Sequence, residues 1–145
     1  MTANVFIDTN LYIYALVDSP DEADAEKTKV VLAFFKTLLE SQTLITSVQV
    51  LNELHSNLIK KFKLDDSIAF QIIEQSVIPI TLVKPISYQT YHAACQLRTK
   101  YNFSYWDSLI VASALENDCH TLYSEDMQHQ LTVEKKLTLI NPFQQ

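Results

Sequence analysis

Glycine does not occur anywhere in the 145 residues. That absence removes two large function classes, because GxGxxG and GxxxxGK[ST] phosphate loops need glycine where the backbone turns tightly or approaches a phosphate. Rossmann-type dinucleotide binding and P-loop chemistry therefore have no sequence support. Cysteine is nearly as scarce. Cys95 and Cys119 form no CxxC pair and no disulfide framework, a usage that fits a reducing cytosol. No stretch approaches the ~20 apolar residues that span a bilayer, and the N-terminus lacks the segments of a secretory signal. Positive charge is short too. Eleven Lys and Arg stand against 17 Asp and Glu, for a formal charge of −6, the reverse of a typical polyanion binder. The expectation is a soluble, cytoplasmic protein with no membrane partner. It is read as one domain over residues 1–145, long enough to bury ~70% of its unfolded surface.

What is present is an alternation of strand-like and helix-like segments. "NVFID" is a short apolar strand and "TNLYIYAL" the helical stretch after it. "PDEADAEKTKVVLAFFKTLLE" opens on Pro20 and acids, then carries Val30, Val31, Phe34, Phe35, Leu38 and Leu39 at helical spacing. Asp21, Glu22, Asp24 and Glu26 suit the positive end of that helix's dipole. "QTLITS" is the second strand, and Ser47 caps the helix "VQVLNELHSNLIKKF". Its expected buried stripe is Val48, Leu51, Leu54, Leu58 and Phe62, with His55 on the stripe as a core histidine. Asp65 starts "DSIAFQIIEQSVI", and "ITLV", between Pro79 and Pro85, is the third strand. "SYQTYHAACQLRTKY" and "YWDSLIVASALEND" are further helices, "HTLYS" a fourth strand and "LTLIN" a fifth. Continuously apolar strands alternating with helices predict a parallel sheet covered on both faces. The fold class is α/β: a three-layer α/β/α sandwich with a central, mainly parallel sheet of four to five strands.

Four acids stand out by position. Asp8 closes the first strand and Asp126 lies just beyond the fourth, and sites of open parallel sheets form outside the carboxyl ends of strands. Each can equally cap a following helix or turn. Asp107 lies on a helix that is apolar on nearly every face, on the face continued by Val111 and Ala114. A buried, unpaired carboxylate there costs several kcal/mol or protonates, so a cation or several donors is expected nearby. Ser104 to Asp107 also fits a capping box, and the two roles are compatible. Glu53 lies well off its helix's apolar stripe, so solvation is its default, with a ligand role in a cleft the alternative. His92 and Cys95 are spaced for zinc, but no second pair completes a tetrahedral site. No GxSxG elbow supports a nucleophilic triad. Carboxylates without His or Cys partners suit hard cations, Mg2+ or Mn2+. Such ions activate water for phosphoryl displacement and supply positive charge that the acidic chain lacks.

With these residues in view, "VFIDTNLYIYAL", the Glu of "SVQVLNELHSNL", "FSYWDSLIVASAL", "LYSEDMQ" and "LTLINPF" resemble the ordered motifs of PIN-domain ribonucleases. Among those, the chain is similar to the VapC-type toxins of bacterial toxin–antitoxin pairs, over Val5 to Phe143. The resemblance implies an Mg2+- or Mn2+-dependent endoribonuclease with an acidic site at Asp8, Glu53, Asp107 and Asp126. It implies supporting roles for Thr9 and Asn10, which complete a DTN motif, and for Ser124, the hydroxyl two residues before the last acid. Glu125 is a further candidate for the metal site. Implied partners are an RNA substrate, a small antitoxin that blocks the site, and a second copy in a homodimer. Lys60, Lys61 and Lys63 follow the Glu53 helix. Solvation at a helix C-terminus accounts for each, and contact with flanking RNA phosphates is their functional reading.

Two other classes compete. A haloacid-dehalogenase-like phosphatase also begins with a strand ending in Asp, but its DxD motif places an acid where Asn10 stands. A catalytically inactive PIN-like binding module is the other, although all four acids are present.

Overall fold

The computed structural model describes residues 2–144. Five strands run parallel: β1 (Ala3–Ile7), β2 (Gln42–Ser47), β3 (Leu82–Lys84), β4 (Cys119–Tyr123) and β6 (Leu137–Ile140). The two-residue β5 (Thr132–Val133) lies antiparallel on β6. The order across the sheet is β3-β2-β1-β4-β6-β5, six strands where four to five were expected. The extra strand is β5, too short to carry a periodic apolar pattern.

The helices are α1 (Thr9–Leu16), α2 (Glu22–Ser41), α3 (Val48–Lys60), α4 (Asp66–Ser76), α5 (Tyr88–Lys100) and α6 (Tyr105–Glu116). Crossovers to β2 and β3 step one way from β1, and the crossover to β4 steps the other way. Right-handed connections therefore set α1 to α4 on one face of the sheet and α5 and α6 on the opposite face. The packing agrees, with α1 against α2 and α3, α3 against α4, and α5 along α6. Val5, Phe6 and Ile7 on β1 are all 0% exposed, as a central strand covered on both sides must be.

Some local expectations shift. On α2 the buried positions are Val31, Phe35 and Leu38, a narrower stripe that leaves Val30 and Leu39 exposed. On α3, Val48 faces out, against its expected place on the buried stripe, and Val50 faces the core instead. His55 is not a core histidine: its Nε2 meets Asp66 Oδ1 at 2.8 Å, tying α3 to α4 at the surface. Pro79 falls in a short 3-10 helix, Ile78–Ile80, which delays β3 to Leu82. No helix among the described residues is long and apolar enough to cross a membrane.

Without glycine, left-handed backbone positions fall to ordinary residues. Lys63, Asp118, Gln130, Glu134 and Lys135 all have φ between 52° and 68°. Glu134 and Lys135 form the tight turn between β5 and β6, closed by a Lys136 N–H to Val133 carbonyl bond of 3.0 Å. Two consecutive positive φ values are what a type I′ hairpin turn requires.

Candidate active site

The connections leaving β1 and entering β4 run in opposite directions, so the crevice of this sheet opens at the carboxyl ends of these two neighbours. Pairing continues past both strands. Asp8 N–H donates to the Tyr123 carbonyl at 2.9 Å, and Ser124 N–H to the Ile140 carbonyl at 2.9 Å. These bonds set Asp8 and Ser124 side by side although 116 residues separate them. Asp8 is 8% exposed. Its Oδ1 accepts from Thr9 N–H at 2.8 Å and its Oδ2 from the Ser124 hydroxyl at 2.9 Å. Asp8 is also the N-cap of α1, so capping and a site role coexist in one side chain.

Ser124 Oγ in turn accepts the Asp126 N–H at 3.2 Å, and Asn10 Nδ2 donates to Asp126 Oδ2 at 2.8 Å. Asp126 thus spends an oxygen on Asn10, the residue that replaces the second acid of a DxD motif. Asp107 sits in the first turn of α6 with its N–H on Ser104 Oγ at 3.1 Å. Ser104 caps the helix, and no reciprocal bond from Asp107 completes a capping box among the described residues; the complete box is Ser87 with Thr90 on α5. Glu53 accepts from Gln49 Nε2 at 3.0 Å, and the same nitrogen donates to the Trp106 carbonyl at 3.2 Å. Gln49 therefore ties Glu53 on α3 to the residue before Asp107 on α6.

The electrostatics place these acids within reach of one another. Burial, then the charges of Asp107 and Asp126, push the Asp8 carboxyl up to about 6, against the pull of the Thr9 and Ser124 hydrogen bonds. Burial and then the Asp8 charge raise Glu53, and burial with the Asp126 charge raises Asp107. None of these shifts comes from a cation of the chain itself. Among the described residues no three His, Cys, Asp or Glu side chains close into a ready-made metal cage. The donor set fits a hard divalent ion: carboxylate oxygens, raised by each other, with the buried Thr9 Oγ1 beside them unpartnered. His92 and Cys95 belong to no such group.

Glu125 is engaged elsewhere. Its carboxylate accepts from the Tyr14 hydroxyl at 2.7 Å and pairs with Lys27 Nζ, while Asn141 Nδ2 donates to its carbonyl at 3.2 Å. Lys27 Nζ also stands 5.3 Å from the Phe143 ring centre and 5.5 Å from that of Tyr14. Burial, with the Glu125 bond, pushes the Tyr14 hydroxyl up to about 12. Of the three lysines, Lys61 lines a small cavity of about 90 Å³ with Asn10, Tyr14 and Thr28. Lys60 and Lys63 lie exposed at and beyond the far end of α3. Lys60 follows Glu53 by seven residues, roughly 10 Å along the helix.

Gln49 and the Lys27–Tyr14–Glu125 clamp escaped the sequence reading. Gln49 has a readable cue, its i,i+4 spacing to Glu53. The clamp has none, since Tyr14 and Glu125 lie 111 positions apart. Beside the acids runs a groove of about 610 Å³, walled by Val48, Ile86, Trp106 and Leu109 and shared by Gln49 and Glu53.

A family model described as PIN domain matches residues 5–134. No curated protein matches the chain. Among solved structures, the chain is similar to a toxin–antitoxin complex from Klebsiella pneumoniae, with TM-score 0.67, 14% identity, and 96% of this chain and 98% of that chain covered. VapBC2 from Rickettsia felis, bound to a DNA fragment from their promoter, gives 0.61 at 19% identity, covering 85% and 88%. Mycobacterium tuberculosis VapC20, a Sarcin-Ricin loop cleaving toxin, gives 0.57 at 17%, covering 81% and 86%. At these identities the likeness is one of fold.

Proposed function

The chain belongs to the PIN-domain family, and from that premise we propose that it is a divalent-metal-dependent endoribonuclease, the toxin of a type II toxin–antitoxin pair. What supports this reading is that Asp8, Glu53, Asp107 and Asp126, carried by four separate elements, act on one another through their charges. Three of them are raised by burial and by their neighbours' charge.

Asp8, Asp107 and Asp126, with Glu53 directly or through water, would hold Mg2+ or Mn2+. When bound, such an ion supplies Lewis acidity toward water and the scissile phosphate, and the positive charge that this chain lacks. The chain's own residues prepare the site. Ser124 keeps Asp8 oriented and favours its ionised form. Asn10 fixes the Asp126 carboxylate, and Gln49 fixes Glu53. Lys61, beside Asn10, is the lysine of the three best placed for a flanking RNA phosphate.

The relatives of similar fold include toxin–antitoxin complexes, which supports a small antitoxin as partner; a second copy of the chain is proposed from the family resemblance alone. The reading places one nuclease domain over residues 1–145 in the cytoplasm.

The test is cleavage of a mixed RNA pool by the purified protein with Mg2+, Mn2+ or a chelator. Metal should switch cleavage on, and Asp8→Asn and Asp107→Asn should each abolish it while circular dichroism stays unchanged. Full activity of both variants, or undiminished cleavage in chelator, overturns the reading. A protein that binds Mn2+ yet leaves every RNA intact would be the non-catalytic module instead.

A further inference from the structure

Trp106 immediately precedes Asp107, yet its side chain is 63% exposed. Burying an indole is one of the larger gains open to a fold, so an exposed one beside a candidate site has a use elsewhere. It walls the groove of about 610 Å³, together with Val48, Ile86 and Leu109. Tyr105 meets it at 5.2 Å and 70°, edge to face, so that neighbour does not stack flat on the indole. The aromatic surface continues from Tyr105 to the half-exposed Tyr91 at 6.4 Å and on to the largely exposed Tyr88 at 6.1 Å.

We propose that this groove is a base-stacking subsite, with Trp106 as the platform for an unpaired RNA base next to the scissile phosphate. The inference deepens the nuclease reading and rests on it for the identity of the ligand. Three observations select a base over other occupants. Glu53 lines the groove and also neighbours Asp8 and Asp107, so whatever fills the groove lies beside the acids. Glu53 is the only charged side chain on the lining, so the groove suits a neutral ring and not a phosphate. Asn52 and Ser56 bring amide and hydroxyl groups to its wall, as reading a base edge requires. Stacking makes the preference one for single-stranded or looped RNA, because a paired base has no free face to offer.

Trp106 is the chain's one tryptophan, so its fluorescence reports on this position alone. The probe is a short single-stranded oligoribonucleotide, titrated with Ca2+ present to offset the acids. It is compared with the same strand in a duplex and the same backbone without bases. Single strands should quench the emission, while duplex and abasic strands should not. Trp106→Ala should weaken binding of a labelled strand, read by anisotropy, about 5- to 150-fold, the range for loss of one base–aromatic stack. Trp106→Phe should recover most of that affinity. Equal affinity of Trp106→Ala and wild type overturns the proposal, as does quenching by the abasic strand. An emission change on raising protein concentration alone, with no response to RNA, would assign the groove to a second copy and also overturn it. Quenching without any metal-dependent cleavage would remove the nuclease reading and leave the stacking subsite; cleavage with an unresponsive Trp106 would do the reverse.

Discussion

Ser124 and Asp8 share a buried hydrogen bond of 2.9 Å between residues 116 positions apart, and the same hydroxyl receives the Asp126 N–H at 3.2 Å. One side chain, 1% exposed, thereby couples two acids on neighbouring strand ends. The hydroxyl donates to the charged form of Asp8, so it opposes the burial that drives that carboxyl to protonate.

Removing this hydroxyl should therefore be felt at the metal. Ser124→Ala should weaken Mn2+ binding about 10- to 100-fold, the usual cost of losing a residue that orients a ligand. Titration calorimetry reads this directly. Ser124→Thr, which keeps the donor, should lose much less. Unchanged Mn2+ affinity in the alanine variant would remove Ser124 from the site.

The pH dependence of stability follows from Asp8. Its folded carboxyl titrates at about 6, above the ordinary 3.8, so between those values the folded state binds more protons than the unfolded one. Stability of the metal-free protein should then rise as pH falls from 7 toward 4, by at most about 3 kcal/mol from Asp8. Glu53 and Asp107, also raised, act in the same direction. Urea denaturation in chelator at several pH values measures the slope. Asp8→Asn should flatten it and make the protein more stable at pH 7. A metal-free wild type that instead loses stability steadily from pH 7 to 5 would contradict the raised carboxyl.

Three of the candidate acids sit at sequence-readable places: Asp8 at a strand end, Asp107 at a helix start and Asp126 in a turn after a strand. Glu53, in mid-helix and off the apolar stripe, has no such cue and was readable only through the family resemblance. Parallel pairing was legible from the apolar runs of β1, β2 and β4. What pairing did not reveal was which side chains finish the site. Ser124 could be placed only as part of a motif, since its bond to Asp8 depends on the register between β1 and β4. Val48 illustrates a different limit. It has the spacing of a core residue on α3, but the helix turns that position into the groove beside Trp106. His55 fails for a related reason, as a surface partner on α4 competes for it.

Glu125 shows how a neighbour of a candidate ligand can be structural. Its carboxylate is 18% exposed and is shared by Lys27 and Tyr14. Lys27→Met should leave that charge poorly compensated and cost ~1 kcal/mol, less than a fully buried pair because Lys27 is one-third exposed. In thermal unfolding this is a fall of about 3 °C for a chain of this size. The double variant Lys27→Met/Glu125→Gln should recover at least half of the loss, because the stranded charge is gone. A double variant no more stable than the single would mean that the Lys27 ammonium over the Phe143 and Tyr14 rings, not its pairing with Glu125, holds the clamp.

The hairpin at Glu134 and Lys135 carries the consequence of a glycine-free sequence. Both residues hold positive φ, 52° and 58°, where a Cβ crowds the following carbonyl by ~1–2 kcal/mol per residue. Glu134 is held by more than the turn: its carboxylate meets Lys100 at 3.0 Å and the Tyr101 hydroxyl at 3.1 Å. Lys135 is exposed and takes no part in those bonds, so it is the place to relieve the strain. Glycine there removes the clash but adds freedom to the unfolded chain, roughly 0.5–1 kcal/mol. The net should be a gain of about 0.5 kcal/mol, or ~1–2 °C in thermal midpoint. Lys135→Ala keeps the Cβ and should gain nothing. If alanine stabilises as much as glycine, the benefit comes from removing the lysine side chain, and backbone strain is not what the turn stores.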